Sequence, residues 1–290
     1  MEYLFKVLVS ILFDGVAYAM ILFIISVGLS VTMGLMGFVN LAHGAFAMLG
    51  GYVMVTVMNG WDVPFPAALV IAFVVVALIS VVFERLLYAR LYDASELDQV
   101  LLTIGLVFMA IAATTFIWGT ASQNVQPPDY LKGRIDLGFR EFPTYRAMMI
   151  GVGFSLMGLL WLGYERTRVG ARIRAAVDNR RMAQSMGIDV GRLFTVTFAI
   201  GSGLAALGGA LGSDIWGLDP AFAISHLVIF LIVVAVGGLG SLKGAFVAAL
   251  VLGIIDYAGK YLLPDFSAFF IYVVMIAILL WKPQGLFGKV

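Results

Sequence analysis

Long apolar runs separated by short polar ones organise the whole chain. The runs fall at about 10–33, 41–58, 66–83, 100–118, 145–163, 193–213, 221–237, 244–258 and 268–281. Each approaches the ~20 apolar residues needed to cross a ~30 Å hydrocarbon core. They are continuous rather than alternating, which predicts helices and not the strands of a membrane barrel. The polar breaks are Asn59-Gly60-Trp61-Asp62, residues 84–99, a loop at 119–144, an arginine-rich stretch at 164–192, and Asp214 to Pro220. The pattern predicts an all-α polytopic membrane protein with eight or nine transmembrane helices. The 244–258 run is short and reads as a half-membrane element. The first run is too long for a signal-peptide core, and Ala17-Tyr18-Ala19 lies inside it, so it reads as the first anchor.

Composition sharpens this picture. The 290 residues are 62% hydrophobic and 12% charged, with a mean hydropathy of +1.04, against about 25% charged in ordinary soluble domains. A soluble enzyme and a disordered chain are excluded, and residues 1–290 read as one membrane domain. The net charge of +1 offers nothing to nucleic acid and no polybasic lipid anchor. The absence of cysteine excludes disulfides, thiolate metal sites and cysteine nucleophiles. Only His43 and His226 are available as imidazoles, so a histidine-rich metal site is not expected. Charge asymmetry sets the orientation. With the arginine-rich 164–192 stretch inside, the N-terminus lies outside and the C-terminus inside. The 18 Lys and Arg then divide twelve inside and six outside.

Several stretches carry chemistry. In Gly34 to Tyr52, glycines and Asn40 interrupt an apolar run around His43. Such a break inside a membrane is tolerated only where protein or a cavity satisfies the freed backbone, and transporters aim broken helix ends at solutes. A plain turn with Asn40 as the N-cap of the next helix explains the same residues. Val236 to Phe246 suggests a phosphate loop but fails as one, because Lys243 is followed by Gly244 rather than Ser or Thr. His43-Gly44-Ala45-Phe46 and Lys243-Gly244-Ala245-Phe246 match at an offset of 200, as either an internal repeat or chance. Between Gly170 and Gly187 the arginine-rich stretch reads as one short amphipathic helix, with Ile173, Val177, Met182 and Met186 as an apolar stripe. Such a helix fits a groove on another protein, and a solvated topology signal is the plainer reading. Gly201 to Gly212 is dense in small residues, as close helix packing needs. Asp14, Glu84 and Asp256 lie near run ends, within reach of the interface. His226 begins an outer helix. Neither a His-Glu-x-x-His site nor a Gly-x-Ser-x-Gly elbow is present.

Four motifs occur in order: Asn40-Leu41-Ala42-His43-Gly44, Arg174-Ala175 through Gly187-Ile188, Gly237-Gly238-Leu239-Gly240-Ser241, and Lys282-Pro283-Gln284-Gly285-Leu286-Phe287-Gly288. Together they resemble the LivH type of branched-chain amino acid ABC transporter permease, over nearly the whole chain. The resemblance implies a permease without catalytic residues, importing branched-chain amino acids or a related small polar solute by alternating access. The implied partners are a LivM-like second permease, two cytoplasmic ATPases that bind ATP and Mg, and a periplasmic or extracellular solute-binding protein. The implied location is a bacterial or archaeal inner membrane, and no cofactor is expected on this chain. Asn40, His43, Thr103, Ser202 and Ser241 become candidates for the solute path. Arg172, Arg174, Asp178, Arg180, Arg181 and Gly187 become candidates for ATPase coupling. Two other classes stay open, an ATP-independent urea or amide channel and an intramembrane hydrolase built on Ser202.

Overall fold

The computed structural model describes residues 2–92, 94–136, 138 and 140–288, with the side chains at 2, 3 and 35 left aside. Of the polar segments, Asp93, Leu137, Phe139 and the terminal Lys289 and Val290 lie outside the described residues. The helices are α1 (Glu2–Met36), α2 (His43–Trp61), α3 (Phe65–Leu86), α4 (Glu96–Trp118), α5 (Thr144–Arg166), α6 (Arg168–Asp178), α7 (Arg180–Ser185), α8 (Val190–Trp216), α9 (Phe222–Ser225), α10 (Leu227–Gly237), α11 (Leu242–Leu262) and α12 (Ser267–Trp281). Among the described residues, seven spans are long and apolar enough to cross a membrane, based on α1, α3, α4, α5, α8, α11 and α12. The loop between α4 and α5 also holds a hairpin that the apolar pattern does not foretell. Its strands β1 (Arg134–Asp136) and β2 (Glu141–Pro143) pair antiparallel, with Ile135 opposite Phe142. The Phe142 ring lies 4.3 Å from that of Phe13.

The half-length element is not where the sequence puts it. α11 runs 21 residues, about 31 Å at 1.5 Å per residue. The short segment is instead Phe222–Gly237, broken at His226 into α9 and α10. The 11 residues of α10 span only about 16 Å. Its unbroken apolarity disguises the break, because Leu227 to Gly237 would suit a membrane at any depth.

α1 is the axis of the molecule. It packs along both α8 and α11, and most of it is buried. Small residues allow these approaches, as their density predicts. A methyl group on Gly28 would strike the Gly201 backbone, and one on Gly50 or Gly209 would strike the α8 or α2 backbone at the next crossing. The turn from α10 into α11 needs Gly238 (φ 95°) and Gly240 (φ 72°) in the left-handed region, where side chains are disfavoured. The C-terminal motif folds over this turn, with Leu286 N donating to Val236 O at 2.7 Å and Phe287 N to Gly237 O at 3.1 Å.

The three acidic residues near the run ends are buried in the protein. Asp14, Glu84 and Asp256 are 5%, 2% and 4% exposed, and each is satisfied within the protein. Arg146 of α5 meets Asp14 at 2.6 Å, Lys260 pairs with Asp256 one turn away, and Glu84 accepts from two hydroxyls. Pairing is what makes a carboxylate tolerable at such burial.

Gly28→Ala is expected to destabilise the fold by about 1–3 kcal/mol through overpacking. Gly105→Ala, where an added methyl meets open space, is expected to be neutral or stabilising. Thermal unfolding of the two detergent-purified variants checks this, and equal melting temperatures would remove the α1–α8 crossing as a tight contact.

Candidate functional site

The link between α1 and α2 turns back into the bundle. Gly37 to Ala42 leave helical geometry, and α2 starts at His43. The His43 Nε2 atom sits 2.9 Å from the carbonyl oxygen of Ile25. Ile25 stands eleven residues before the end of α1, about 16 Å along it. The link therefore returns the chain about three helical turns back along α1. On its other side Gly44 abuts the backbone of Ala223 in α9, so the two broken elements meet each other. Non-helical backbone here is shielded by protein.

Asn40 is not the N-cap of α2, since Ala42 occupies that position. Asn40 Oδ1 instead accepts from Ala42 N at 3.1 Å and from the Tyr88 hydroxyl at 3.1 Å. Gln99 clamps the same link. Its Oε1 accepts from Val39 N at 3.2 Å, while its Nε2 donates to Leu91 O and Ala94 O at 3.2 and 3.3 Å. No motif announces Gln99 or Tyr88. The only sequence signal for Gln99 is an amide one turn past the Ser95 cap, at the edge of an apolar run.

The five path candidates divide. Asn40, His43 and Ser202 are 2%, 1% and 1% exposed, and each retains an unbonded polar atom: Nδ2, Nδ1 and Oγ respectively. Such groups cost roughly 1–3 kcal/mol each when left unpaired. Ser26, Ser30, Tyr52 and Thr197 also carry buried unbonded oxygens, so the three candidates share this feature with other parts of the bundle. Thr103 and Ser241 are occupied. The Thr103 hydroxyl donates to Gln99 O at 2.9 Å within α4. Ser241 caps α11, its Oγ accepting from Gly244 N at 3.0 Å. The structure therefore gives Ser241 a local role, because a serine before an apolar helix serves its free amides first.

The arginine-rich stretch forms two helices rather than one. Asn179 breaks it and caps α7, its Oδ1 accepting from Met182 N at 2.9 Å. The expected stripe splits accordingly: Ile173 and Val177 pack on the core, while Met182 and Met186 are 62% and 77% exposed. Gly187, with φ 78°, ends α7. Arg172 and Arg181 are exposed. Arg174 is tied down, donating to the Tyr164 carbonyl at the α5–α6 elbow and lying 3.9 Å from Glu165. Arg174, Asp178, Ser241, Lys243 and Phe287 line one cleft of about 550 Å³. Three of the four sequence motifs thus converge on one face of the bundle. Among the described residues no group of three His, Cys, Asp or Glu is placed to hold a metal.

Seven apolar helices of membrane-spanning length, two interrupted elements packed on each other, and an exposed cationic segment fit a multi-pass membrane transport subunit. They do not define an enzyme. The chain belongs to the family described as branched-chain amino acid transport system / permease component, whose family model matches residues 11–279. It is 27% identical to the high-affinity branched-chain amino acid transport system permease protein LivH of Escherichia coli K12, over 96% of this chain and 94% of that protein. Against the permease protein BraD of Pseudomonas aeruginosa the identity is 26%, over 97% and 95%. The E. coli K12 permease protein LivM is 23% identical over 94% of this chain and 69% of its own length. No solved structure matches the chain.

Ser241→Ala is expected to cost about 1 kcal/mol of stability while leaving uptake per assembled protein unchanged. His43→Ala is expected to reduce uptake without loss of assembly. Uptake assays normalised to membrane content check both, and wild-type rates for His43→Ala would leave the 37–42 link a structural turn.

Proposed function

We propose that this chain is the permease subunit of an ATP-driven importer carrying branched-chain amino acids, or a related small polar solute, into the cytoplasm by alternating access. The observation that carries the reading is the re-entrant link. Asn40 and His43 are buried with unbonded polar atoms, and Gly44 beside them abuts α9 of the interrupted α9–α10 element. A channel open at rest would leave such atoms wet, whereas here they are closed off. A sealed bundle must change state to expose them, which supports alternating access over a pore open at rest.

In this reading the 164–192 segment faces the cytoplasm, placing the N-terminus outside and the C-terminus inside. The exposed Arg172 and Arg181 meet one ATPase subunit, and ATP and Mg are held there. Arg174 acts differently from its neighbours, locking α6 to the end of α5 so that a push on α6 reaches a bilayer-crossing helix. A second permease of the LivM type completes the membrane pair, and a solute-binding protein loads it from outside. ATP and the loaded binding protein must each favour one state of the pair, since a ligand shifts an equilibrium only by its differential affinity. This chain then contributes geometry and no bond chemistry.

Purification of the tagged chain from its native membrane, with mass spectrometry of the companions, tests the reading. Two ATPases and a longer permease are expected. Recovery of the chain alone, passing solute in liposomes without ATP, would make it a channel. Replacing both Arg172 and Arg181 by Glu is expected to release the ATPases and abolish uptake with insertion intact. Unchanged uptake in that double variant would remove the docking role.

A further inference from the structure

Beneath the re-entrant link lies a second set of contacts that the transport reading leaves unused. The short 3-10 turn Tyr88–Leu91 joins α3 to α4. Glu84, in the last turn of α3, accepts from the Tyr92 hydroxyl and from the Thr195 hydroxyl, the latter at 2.8 Å. Thr195 belongs to the second turn of α8, directly after the arginine-rich segment. The Tyr92 ring meets Phe194 edge-on at 5.4 Å, and the Arg180 guanidinium lies 5.1 Å over that Phe194 ring. Burial, followed by the Glu84 carboxylate, pushes the Tyr92 phenol well above the usual tyrosine range. It therefore remains a proton donor at any physiological pH.

The other side of the turn holds the link. Phe38 contacts both Tyr92 and Tyr88, with ring centres 6.1 and 5.1 Å apart. The Tyr88 hydroxyl holds Asn40, and Gln99 ties Val39 to Leu91 and Ala94. The turn is thus fastened on one side to the root of the cationic segment and on the other to the residues just before His43.

We propose that the Tyr88–Tyr92 turn is the positioning element through which movement of the cationic segment reaches the Asn40–His43 link, with Glu84 and Tyr92 as its positioning residues; this rests on the importer reading above. The order of contact is Arg180, Phe194, Tyr92, Phe38 and Tyr88, then Asn40. Aromatic rings transmit displacement because they are stiff and close-packed. The Glu84 bonds keep Tyr92 from rotating away when Phe194 moves. Spatial continuity alone does not establish coupling, so the measurement must separate coupling from stability.

The assembled complex in liposomes is assayed for solute uptake and ATP hydrolysis together. Tyr92→Phe keeps the ring and removes one bond, and is expected to lower solute moved per ATP at least fivefold with hydrolysis and assembly unchanged. Thr195→Val, which cuts the other bond to Glu84, is expected to act in the same direction. Glu84→Gln retains one acceptor oxygen for the two hydroxyls, and is expected to lose coupling about as far as either single-bond variant and less far than Glu84→Ala. Ser213→Ala, a buried hydroxyl at the outer end of α8, serves as the control with no change. Wild-type coupling in both Tyr92→Phe and Thr195→Val, or a proportional fall of uptake and hydrolysis, would overturn the proposal. A wild-type complex without ATP-dependent uptake would remove the importer reading and this proposal with it, an outcome distinct from failure in the variants alone.

Discussion

Every peptide group inside a bilayer must find its partner within the protein, because hydrocarbon supplies none. The full-length helices of this chain meet that demand by themselves. The Gly37–Ala42 link cannot, whereas the kink at His226 keeps helical bonds on both sides, from His226 N to Phe222 O and from Phe230 N to His226 O. The two elements are placed back to back, Gly44 on Ala223, and are enclosed by α1 and α8. Gln99 and Asn40 then accept from the Val39 and Ala42 amides that the missing helical turns would have bonded, and the Tyr88 hydroxyl holds the Asn40 side chain in place. Irregularity is concentrated at one depth and covered. Where it occurs, the side chains nearest to it keep polar atoms unspent.

Close helix contact and buried charge divide the remaining work. The glycine crossings between α1, α2 and α8 bring main chains together over the middle of the bundle. They gain dispersion contacts where water is not available to drive association. Charge acts at the outer edge. Asp14 with Arg146 fastens α5, which is otherwise largely exposed, to the axis helix, and Asp256 with Lys260 braces α11 beside it. The Arg146 and Lys260 cations also lie over the Tyr257 ring, which binds the two pairs into one polar girdle.

Much of this was legible in the order of residues. Apolar run length gave the long helices, and small-residue density gave the α8 crossings. The Asn40-to-Gly44 signature and the arginine-rich stretch marked the two regions where structure departs from simple spanning. What escaped the reading has physical causes. Leu227–Gly237 is apolar throughout, so depth and length leave no trace in its pattern. Asn179 is one polar residue among many, and only its backbone, extended between α6 and α7, reveals the break. Ser241 is a path candidate by family resemblance, and its cap on α11 is an added role that a serine before a helix commonly takes. Glu84, Tyr92 and Gln99 belong to no motif. Their roles arise from contacts over roughly 60 to 110 residues of sequence, which local pattern cannot carry.

The burial of α1 has a consequence for how the chain is made. α1 emerges first, yet its main packing partners, α8 and α11, are synthesised last among the long helices. The nascent protein must therefore hold an apolar helix bearing Asp14 in lipid until Arg146 arrives roughly 130 residues later. At roughly 5–20 residues per second this is a wait of about 7–26 seconds. During that interval the carboxylate lacks the cation that it meets in the finished fold. The ion pair that fastens α5 to α1 therefore forms only after α1 through α4 have been made, and it closes around a helix already in place.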